Sequence, residues 1–360
     1  MAIKKQLPRI GITYDLRQDY LAQGFSEEET AEFDRIDTIQ AIEQTLEDLG
    51  FKTDRIGNIF NLTKRIANGE SWNMVFNIAE GLKGFAREAQ VPALLDAFNI
   101  PYTFSDPLVL SLALHKALTK RVMRDLGIPT PDFFVVENHS DIDLVNLPFP
   151  LFAKPIAEGT GKGITLSSKI ENQHELENVC TNLLINYKQP VLLETFLPGR
   201  EFTVGILGTG NEAEAIGTLE IILREQAEPT AYSYVNKERC EDLVEYRMVN
   251  ESLSRKAQKI ALKAWQGLGC RDAGRVDLKV DINGTPHLIE VNPLAGLHPA
   301  HSDLPILCQA VGISYRQLIE KIMDSALKRA NSLFGEPLKK APFKKYSEVL
   351  NPLSLVNCNT

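Results

Sequence analysis

The sequence predicts a mixed α/β and α+β protein in which a doubly wound parallel sheet is followed by antiparallel sheets. The first third alternates short apolar segments with amphipathic ones, which is the pattern of βαβ units. The last third contains long strand-like runs. Two of them, GRVDLKVD and PHLIEVN, are joined by the turn sequence DING at 281–284. A turn of this composition between two strands predicts a hairpin, so the antiparallel pairing extends to the C-terminal part.

The bulk composition restricts the function classes. Of the 360 residues, 44% are hydrophobic and 24% are charged, and the formal net charge is -8. The negative charge argues against general binding to nucleic acid or a membrane surface, which requires a basic face. The five cysteines form no C-x-x-C pair, which predicts reduced thiols in a cytoplasmic protein. Neither a signal peptide nor a transmembrane run is recognisable.

The predicted N-terminal α/β domain covers residues 1–104. RIGITYD is predicted to be a strand, DRIDTIQAIEQTLEDLG a helix that ends at Gly50, and MVFNIA a buried strand. REAQVPALLDAFN is predicted to be a helix and IPYTFS a short extended segment. The first strand leads into YDLRQDY, which has no glycine, so a dinucleotide site is not expected here.

A second unit is predicted over residues 105–200. One helix begins near Asp106, has Pro107 in its first turn and ends at Gly127. FFVVE, PLFAKP and GITLSS are predicted strands, and ENQHELENVCTNLLINY is a predicted helix.

A third unit is predicted over residues 201–330. Its strands are EFTVGILG, EAEAIGTLEIIL and the hairpin, and its long helix is SLSRKAQKIALKAWQGLG. Residues 224–246 are expected to be an irregular polar segment, which at that length is usually functional or disordered. Residues 331–360 are expected to be a peripheral tail.

The stretch AKPIAEGTGKGI (residues 153–164) suggests a phosphate-binding loop. It is not a Walker A loop, because Ile156 stands where that motif needs glycine, and it is not a dinucleotide fingerprint, because Ile164 takes the last glycine position. Its glycines would let backbone N–H groups approach a phosphate, and Lys116 and Lys154 could neutralise it. Taken singly, the lysines could equally be surface residues and the glycines a tight turn.

The hairpin carries a candidate metal site. Arg275 and Asp277 are two residues apart, as are Glu290 and Asn292, so each pair shares a strand face. Carboxylate and amide oxygens are ligands that Mg²⁺ takes together with phosphates. The alternative is a hairpin whose solvent-exposed face is simply acidic.

The segment VLLETFLPGREF contains Glu194 at the end of one predicted strand and Glu201 at the start of the next, with a kink between them. A strand–kink–strand at this point could bind an adenine edge and the ribose hydroxyls. The alternative is an ordinary β-turn built on Pro198 and Gly199.

The order of these motifs resembles the ATP-grasp superfamily, and within it the D-alanine–D-alanine ligases, over roughly residues 9–325. The matching stretches are KPIAEGTGKGI, ETFLPGREFTVGILG, AGRVDLKVD and IEVNP. The resemblance implies an ATP-grasp fold, in which two antiparallel sheets enclose the nucleotide. It also implies a ligase that phosphorylates a carboxylate and then forms an amide, a peptide bond, with a second amino acid.

The resemblance also implies ATP as substrate and two Mg²⁺ ions, for which Mn²⁺ could substitute. By matching motif, Lys116 and Lys154 hold phosphates, and Glu194 with Phe196 and Leu197 holds the adenine. Glu201 binds the ribose and Arg275 stabilises the acyl phosphate. The implied metal ligands are Asp277, Glu290 and Asn292.

The loop from Glu158 through Gly159, Thr160 and Gly161 matches the flap over the phosphates. Residues 224–246 resemble the family's omega loop, in which Tyr232, Tyr234 and Lys237 match. Ser302 matches, in an uncertain register, the serine that binds the second substrate's carboxylate. His298 and His301 could be read as a His-x-x-His metal pair, although no third ligand is near them in the sequence.

The first-substrate positions depart from the family pattern. Glu238 stands where the omega loop normally has a tyrosine, Thr160 replaces a serine, and AEGLKGFAREAQVP replaces HGxxGEDG. A carboxylate for the first substrate's ammonium has three candidates, Glu32, Asp34 and Glu80. D-alanine ligation in cell-wall synthesis is the first expectation. Other amino acids or peptides, a non-catalytic nucleotide-binding protein and a carboxylase-type enzyme are the alternatives. By analogy the protein could be a homodimer.

Overall fold

The computed structural model describes residues 8–229 and 233–334. Over these residues the strands form three sheets. The first sheet is parallel, with the order β2-β1-β3. Its strands and the neighbouring helices are β1 (Arg9–Thr13), α1 (Arg17–Ala22), α2 (Ile36–Asp48), β2 (Lys52–Gly57), α3 (Ile59–Ala67), β3 (Met74–Asn77) and α4 (Gln90–Ala97). The predicted βαβ pattern is therefore confirmed.

The helix predicted between Asp106 and Gly127 is in fact two helices, α5 (Pro107–Leu114) and α6 (Lys116–Asp125). Asp106 caps α5 through the backbone N–H of Val109, as its position predicts. At His115 the backbone leaves the helical region, and the N–H of Lys116 donates to the carbonyl of Ile156 at 3.1 Å. The break therefore coincides with a hydrogen bond to a segment that is distant in the sequence. Local helix propensity does not predict such a contact.

The second sheet is antiparallel, with the order β4-β7-β5-β6. Its elements are β4 (Phe133–Val136), β5 (Leu151–Pro155), β6 (Lys169–Ile170), α7 (Gln173–Tyr187) and β7 (Val191–Thr195). The prediction of a strand over GITLSS is wrong. Those residues form turns and a short 3-10 helix, Leu166–Ser168, which is capped by the side chain of Thr165.

The third sheet is antiparallel, with the order β10-β9-β8-β11-β12. Its elements are β8 (Glu201–Leu207), β9 (Glu214–Leu223), α8 (Tyr234–Glu238), α9 (Cys240–Leu243), β10 (Val244–Met248), α10 (Ser252–Leu268), β11 (Ala273–Val280) and β12 (Pro286–Asn292). The segment expected to be irregular contains two short helices and the start of β10. The predicted hairpin of β11 and β12 is confirmed.

Two further helices, α11 (Asp303–Ala310) and α12 (Tyr315–Phe334), follow the hairpin. Leu318 and Ile322 of α12 belong to the same buried cluster as Ile10, Ile12 and Phe76 of the first sheet. Helix α12 therefore packs against the first sheet and connects it to the rest of the hydrophobic core. No helix in the described part of the chain is long and apolar enough to cross a membrane.

Candidate active site

A cleft lies between the sheet that contains β5 and β7 and the sheet that contains β8, β11 and β12. Counting its open mouth, it encloses about 880 Å³, a size typical of small-molecule sites. Most of the residues predicted from the sequence line it: Lys116, Lys154, Glu158, Gly161, Glu194, Phe196, Leu197, Glu201, Lys237, Asp277 and Glu290.

A group of paired charges, here called the lysine cluster, consists of Lys116, Lys120, Lys154, Glu194 and Glu290. Lys154 lies 2.7 Å from one carboxylate oxygen of Glu194, and Lys120 contacts the other. Lys116 lies 2.9 Å from Glu290. Desolvation opposes ionisation of the two glutamates, but the lysines outweigh it and hold the pKa of each at about 2. Glu194 and Glu290 are thus ionised at neutral pH, and each is paired with a lysine of the cluster.

The hairpin presents its polar residues on one face. Arg275 lies opposite Asn292 and Asp277 lies opposite Glu290, while the intervening Val276 is buried. The prediction that each pair shares a strand face is confirmed, and the register places the two pairs opposite each other. Their chemical roles remain predictions.

Asp277 is held by several donors. The hydroxyl of Thr203 donates to Oδ1 at 2.9 Å and the amide of Asn292 donates to Oδ2 at 3.1 Å, while Arg275 contacts Oδ2 as well. Desolvation raises the pKa of Asp277 above its usual range, although Arg275 and Lys237 of α8 oppose the shift. A carboxylate removed from water in this way would be stabilised by a bound cation.

The donor set on this face fits a divalent metal. Asp277 and Glu290 provide carboxylate oxygens, which are hard ligands of the kind that Mg²⁺ prefers. The NH₂ group of Asn292 points toward Asp277, so a half-turn of that amide would present its oxygen instead.

Five predicted residues do not line the cleft: Gly159, Thr160, Arg275, Asn292 and Ser302. Arg275 and Asn292 contact Asp277 directly, and Arg275 also lies 3.5 Å from Asp303. The hydroxyl of Ser302 accepts the backbone N–H of His298 at 3.0 Å, which ties down the loop before α11.

The glycine loop is fastened to the N-terminal unit by Glu32. The backbone N–H of Gly159 donates to Glu32 at 2.6 Å, and Lys162 lies 2.7 Å from the other carboxylate oxygen. Arg87 pairs with the same carboxylate at 2.9 Å. Desolvation opposes ionisation, but Arg87 and Lys162 lower the pKa of Glu32 to about 2. Thr160 has φ of 51°, a left-handed conformation that is uncommon for a residue with a side chain.

The omega-like segment closes over this loop. A Cβ atom at Gly161 would lie 2.7 Å from the backbone nitrogen of Tyr234, so the two segments approach as closely as glycine allows. Lys237 lines the cleft from α8 and favours the ionised forms of Asp277 and Glu290. Tyr232 lies outside the described residues.

A second group of carboxyls, here called the N-terminal acid group, consists of Asp15, Asp34, Glu80 and Glu88. Desolvation, reinforced by Asp15, raises the pKa of Asp34 to about 8, and desolvation together with Glu88 raises that of Glu80 well above its usual range. Desolvation raises the pKa of Glu88 to about 8 although Arg87 opposes the shift. Of the three sequence candidates, only Glu32 is firmly paired, and Asp34 and Glu80 favour their protonated forms.

The other end of the cleft is formed around the kink after β7. Phe196 and Leu197 line it, and Lys169 lies over the ring of Phe196 at 4.9 Å from the centroid. Glu201 at the start of β8 lies 3.0 Å from Lys279 on β11. The arrangement combines an apolar wall with an acidic group, a combination that is common in small-molecule sites.

Several residues of the cleft and of the lysine cluster were missed by sequence analysis, and two of them, Lys279 and Lys120, had a usable signal. Lys279 is two residues beyond Asp277 and therefore shares its face, and Lys120 is one helical turn beyond Lys116. Lys162 and Thr203 also contact the site, but only the fold reveals their partners.

The two histidines after β12 do not form a pair of metal ligands. His298 lies 3.2 Å from Asp37, and its Nδ1 accepts the backbone N–H of Ala300. The ring of His301 instead meets Cys240 and Glu241. His301 therefore has two potential co-ligands, Cys240 and Glu241, although both are distant from it in the sequence.

The sequence profile described as "D-ala D-ala ligase C-terminus" matches residues 122–324. The chain belongs to the D-alanine–D-alanine ligase family.

Individual relatives agree with this family. A D-alanine–D-alanine ligase from Marinomonas sp. is 35% identical over 248 residues, which cover 68% of this chain and 74% of the relative. An uncharacterized protein from Sinorhizobium fredii is 32% identical over 271 residues, with coverage of 73% and 77%. The crystal structure of a D-alanine–D-alanine ligase from Bacillus anthracis complexed with ATP has a TM-score of 0.70 and 22% identity. The alignment covers 91% of this chain and 99% of that chain.

The structural match shows that the fold is ATP-grasp, as the sequence resemblance implied. Membership of the D-alanine–D-alanine ligase family makes this protein an ATP-dependent ligase that forms ADP and phosphate. The family also implies the use of a divalent metal.

Proposed function

We propose that the protein ligates the carboxylate of one amino acid to the amine of another, through an acyl phosphate made from ATP. The observation that carries this proposal is that the lysine cluster and the oxygen-bearing face of the hairpin meet in one cleft. Phosphoryl transfer depends mainly on positioning and charge neutralisation, and both features supply these.

The nucleotide would lie along the cleft. Lys116 and Lys154 would bind its phosphates, and Glu158, Gly159 and Gly161 would cover them. Glu194 with the backbone around Phe196 and Leu197 would form the adenine pocket, and Glu201 would accept the ribose hydroxyls. In support, Glu194 holds Lys154 in place at 2.7 Å and Glu201 lies beside Lys279.

Asp277, Glu290 and Asn292 would hold two Mg²⁺ ions. Bound there, the metal would neutralise the negative charge of the terminal phosphates. Lys116 would then exchange its contact with Glu290 for one with a phosphate oxygen, because the carboxylate would turn to the metal.

In the reaction, a carboxylate oxygen of the first substrate attacks the terminal phosphorus and ADP leaves. The amine of the second substrate then attacks the acyl carbon, loses a proton and expels phosphate, which leaves an amide. Arg275 would stabilise the developing negative charge, and Ser302 would bind the second substrate's carboxylate. Thr160 and Lys237, on the two closing segments, would help exclude water, which otherwise hydrolyses an acyl phosphate.

D-alanine is the first candidate for both substrates, because several relatives that are 30% identical or more carry that activity in their names. Ligation of another amino acid or of a peptide is the second candidate. It is favoured by the N-terminal acid group and by Glu238, which lies 3.3 Å from Arg17. Asp34 and Glu80, whose desolvation is not offset by neighbouring cations, would suit a substrate with an additional ammonium group.

ADP release over a panel of D- and L-amino acids, diamino acids, dipeptides and hydroxy acids tests both candidates. Turnover with D-alanine alone supports the first candidate. Turnover that requires a diamino acid or a peptide supports the second. Tight ATP binding without ADP release on any carboxylate would contradict catalysis and indicate a nucleotide-binding protein instead.

We also propose that the chain divides into units at 1–104, 105–200 and 201–330, as the sequence pattern predicts. A cytoplasmic location is proposed from the scattered cysteines, and a homodimeric state by analogy with the family.

A further inference from the structure

Three side chains that do not line the ATP cleft converge where the omega-like segment meets the loop before α11. The sulfur of Cys240 lies 3.6 Å from Nδ1 of His301, and a carboxylate oxygen of Glu241 lies 2.9 Å from the same nitrogen. All three donor atoms lie within 4.8 Å of one another. We propose that Cys240, Glu241 and His301 bind a borderline divalent cation, for which Zn²⁺ is the best match.

The separations fit tetrahedral coordination. With zinc–sulfur and zinc–nitrogen bonds of about 2.3 and 2.1 Å, the sulfur and nitrogen are about 3.6 Å apart, as they are here. Nitrogen and oxygen ligands are about 3.4 Å apart in the same geometry. Glu241 therefore needs to withdraw by about 0.5 Å, which its 63% exposed side chain permits.

The donor types favour zinc over magnesium. A thiolate and an imidazole are soft and borderline ligands, whereas Mg²⁺ selects oxygen ligands. The buried thiol of Cys240 forms the base of the site and His301 is half-buried, while the exposed Glu241 provides an entry path. A fourth position remains for water, as in three-ligand zinc sites.

The position of this site suggests what the cation would do. Cys240 and Glu241 begin α9, within the omega-like segment, whereas His301 precedes Ser302 in the loop before α11. A metal ion bound there would connect these two segments and so hold the omega-like segment closed over the cleft. Any effect of this closure on turnover rests on the proposed ligase function, whereas cation binding itself does not.

Binding of Co²⁺, a spectroscopic substitute for Zn²⁺, tests the site on the full chain with Mg²⁺ in excess. Cys358, which lies outside the described residues, is replaced by serine in every sample so that it cannot contribute a thiolate. We expect one equivalent of Co²⁺ to produce a thiolate-to-cobalt charge-transfer band, which equimolar Zn²⁺ removes.

Cys240→Ser should abolish the band, and His301→Asn should weaken Co²⁺ binding by at least about 10-fold. His298→Asn is the matched control and should bind as the parent does, because His298 is engaged by Asp37 and Ala300. Circular dichroism verifies that each variant is folded. Absence of the band in the parent, or its persistence in Cys240→Ser, would overturn the proposal.

These measurements require no catalysis, so they distinguish failure of the metal site from failure of the ligase function. An enzyme that ligates amino acids but binds no Co²⁺ would refute only the metal site. A protein that binds Co²⁺ but never forms ADP would refute only the ligase proposal.

Discussion

The lysine cluster and the N-terminal acid group contain buried or partly buried carboxyls in opposite electrostatic settings. In the lysine cluster, Glu194 and Glu290 each contact at least one lysine, and their pKa values lie near 2. In the N-terminal acid group, the pKa values of Asp34 and Glu88 are raised to about 8. The first group is prepared for an anion, because its lysines are already in place. In the second group the neighbouring Arg87 does not offset the desolvation of Glu80 and Glu88, so the group would accept an additional cation.

Glu32 joins the two regions and shows what a local cation changes. It lies near the N-terminal acid group, yet Arg87 and Lys162 lower its pKa to about 2. Lys162 and Gly159 belong to the glycine loop, so the pairing of one N-terminal carboxylate depends on a segment that covers the cleft. The position of the glycine loop and the ionisation of Glu32 therefore depend on each other.

The strongest test of the lysine cluster is Lys154→Ala. We expect turnover to fall by about 10³-fold, because a buried cation that faces the phosphates is lost. ADP release at saturating ATP measures the effect, and thermal unfolding verifies the fold. Lys256→Ala, on the exposed side of α10, is the control. Normal turnover of Lys154→Ala would show that the cluster is structural only.

Arg275→Ala tests the hairpin face and should lower kcat by about 10²-fold, the scale of a lost oxyanion donor. The substitution leaves Asp277 and Asp303 without their shared cation. Arg275→Lys should recover part of kcat, whereas Arg255→Ala, which is exposed, should leave it unchanged. The assigned role is wrong if kcat of Arg275→Ala equals that of the parent.

Glu32→Gln tests the connection between the two regions. Losing the charge weakens the pairs with Arg87 and Lys162, so we expect kcat/KM to fall by about 10-fold. Hydrogen exchange of amides 157–163 should accelerate, since the loop opens more often. Glu29→Gln, on the exposed surface, is the control. If hydrogen exchange at these amides is unchanged in Glu32→Gln, Glu32 does not stabilise the closed loop.

The smallest expected effect concerns pH. In the folded state Asp34 keeps its proton up to about pH 8, whereas in the unfolded chain it ionises near pH 4, at about 3.9. Its contribution to the free energy of unfolding is therefore complete below about pH 4 and is lost as the pH rises toward 8.

Asp34→Asn should consequently be more stable than the parent at pH 8 and nearly equal to it at pH 4, because the parent alone must give up the favourable protonated form as the pH rises. Urea denaturation at the two pH values measures this, with the exposed Asp48→Asn as control. An identical pH dependence in Asp34→Asn and the parent would mean that Asp34 is ionised in the folded protein.

Local patterns predicted the parts of the fold whose determinants are close in sequence. The turn DING and the two-residue spacings placed Asp277 and Glu290 on one face of a hairpin. The polar strand β2, KTDRIG, was missed because its residues are only partly buried and carry no alternating pattern. The break at His115 was missed because the partner of the Lys116 N–H, Ile156, belongs to a distant segment.

The amino-acid sequence by itself determined which chemical groups the protein can use, their order along the chain and their alternation on each strand. Only the tertiary structure decided which charges neutralise one another: Lys120 with Glu194, Glu32 with the glycine loop, and His301 with Cys240. The physical reason is that strand and helix periodicity arise from neighbouring residues. Charge pairing instead depends on distance and desolvation, which exist only after the three sheets have packed together.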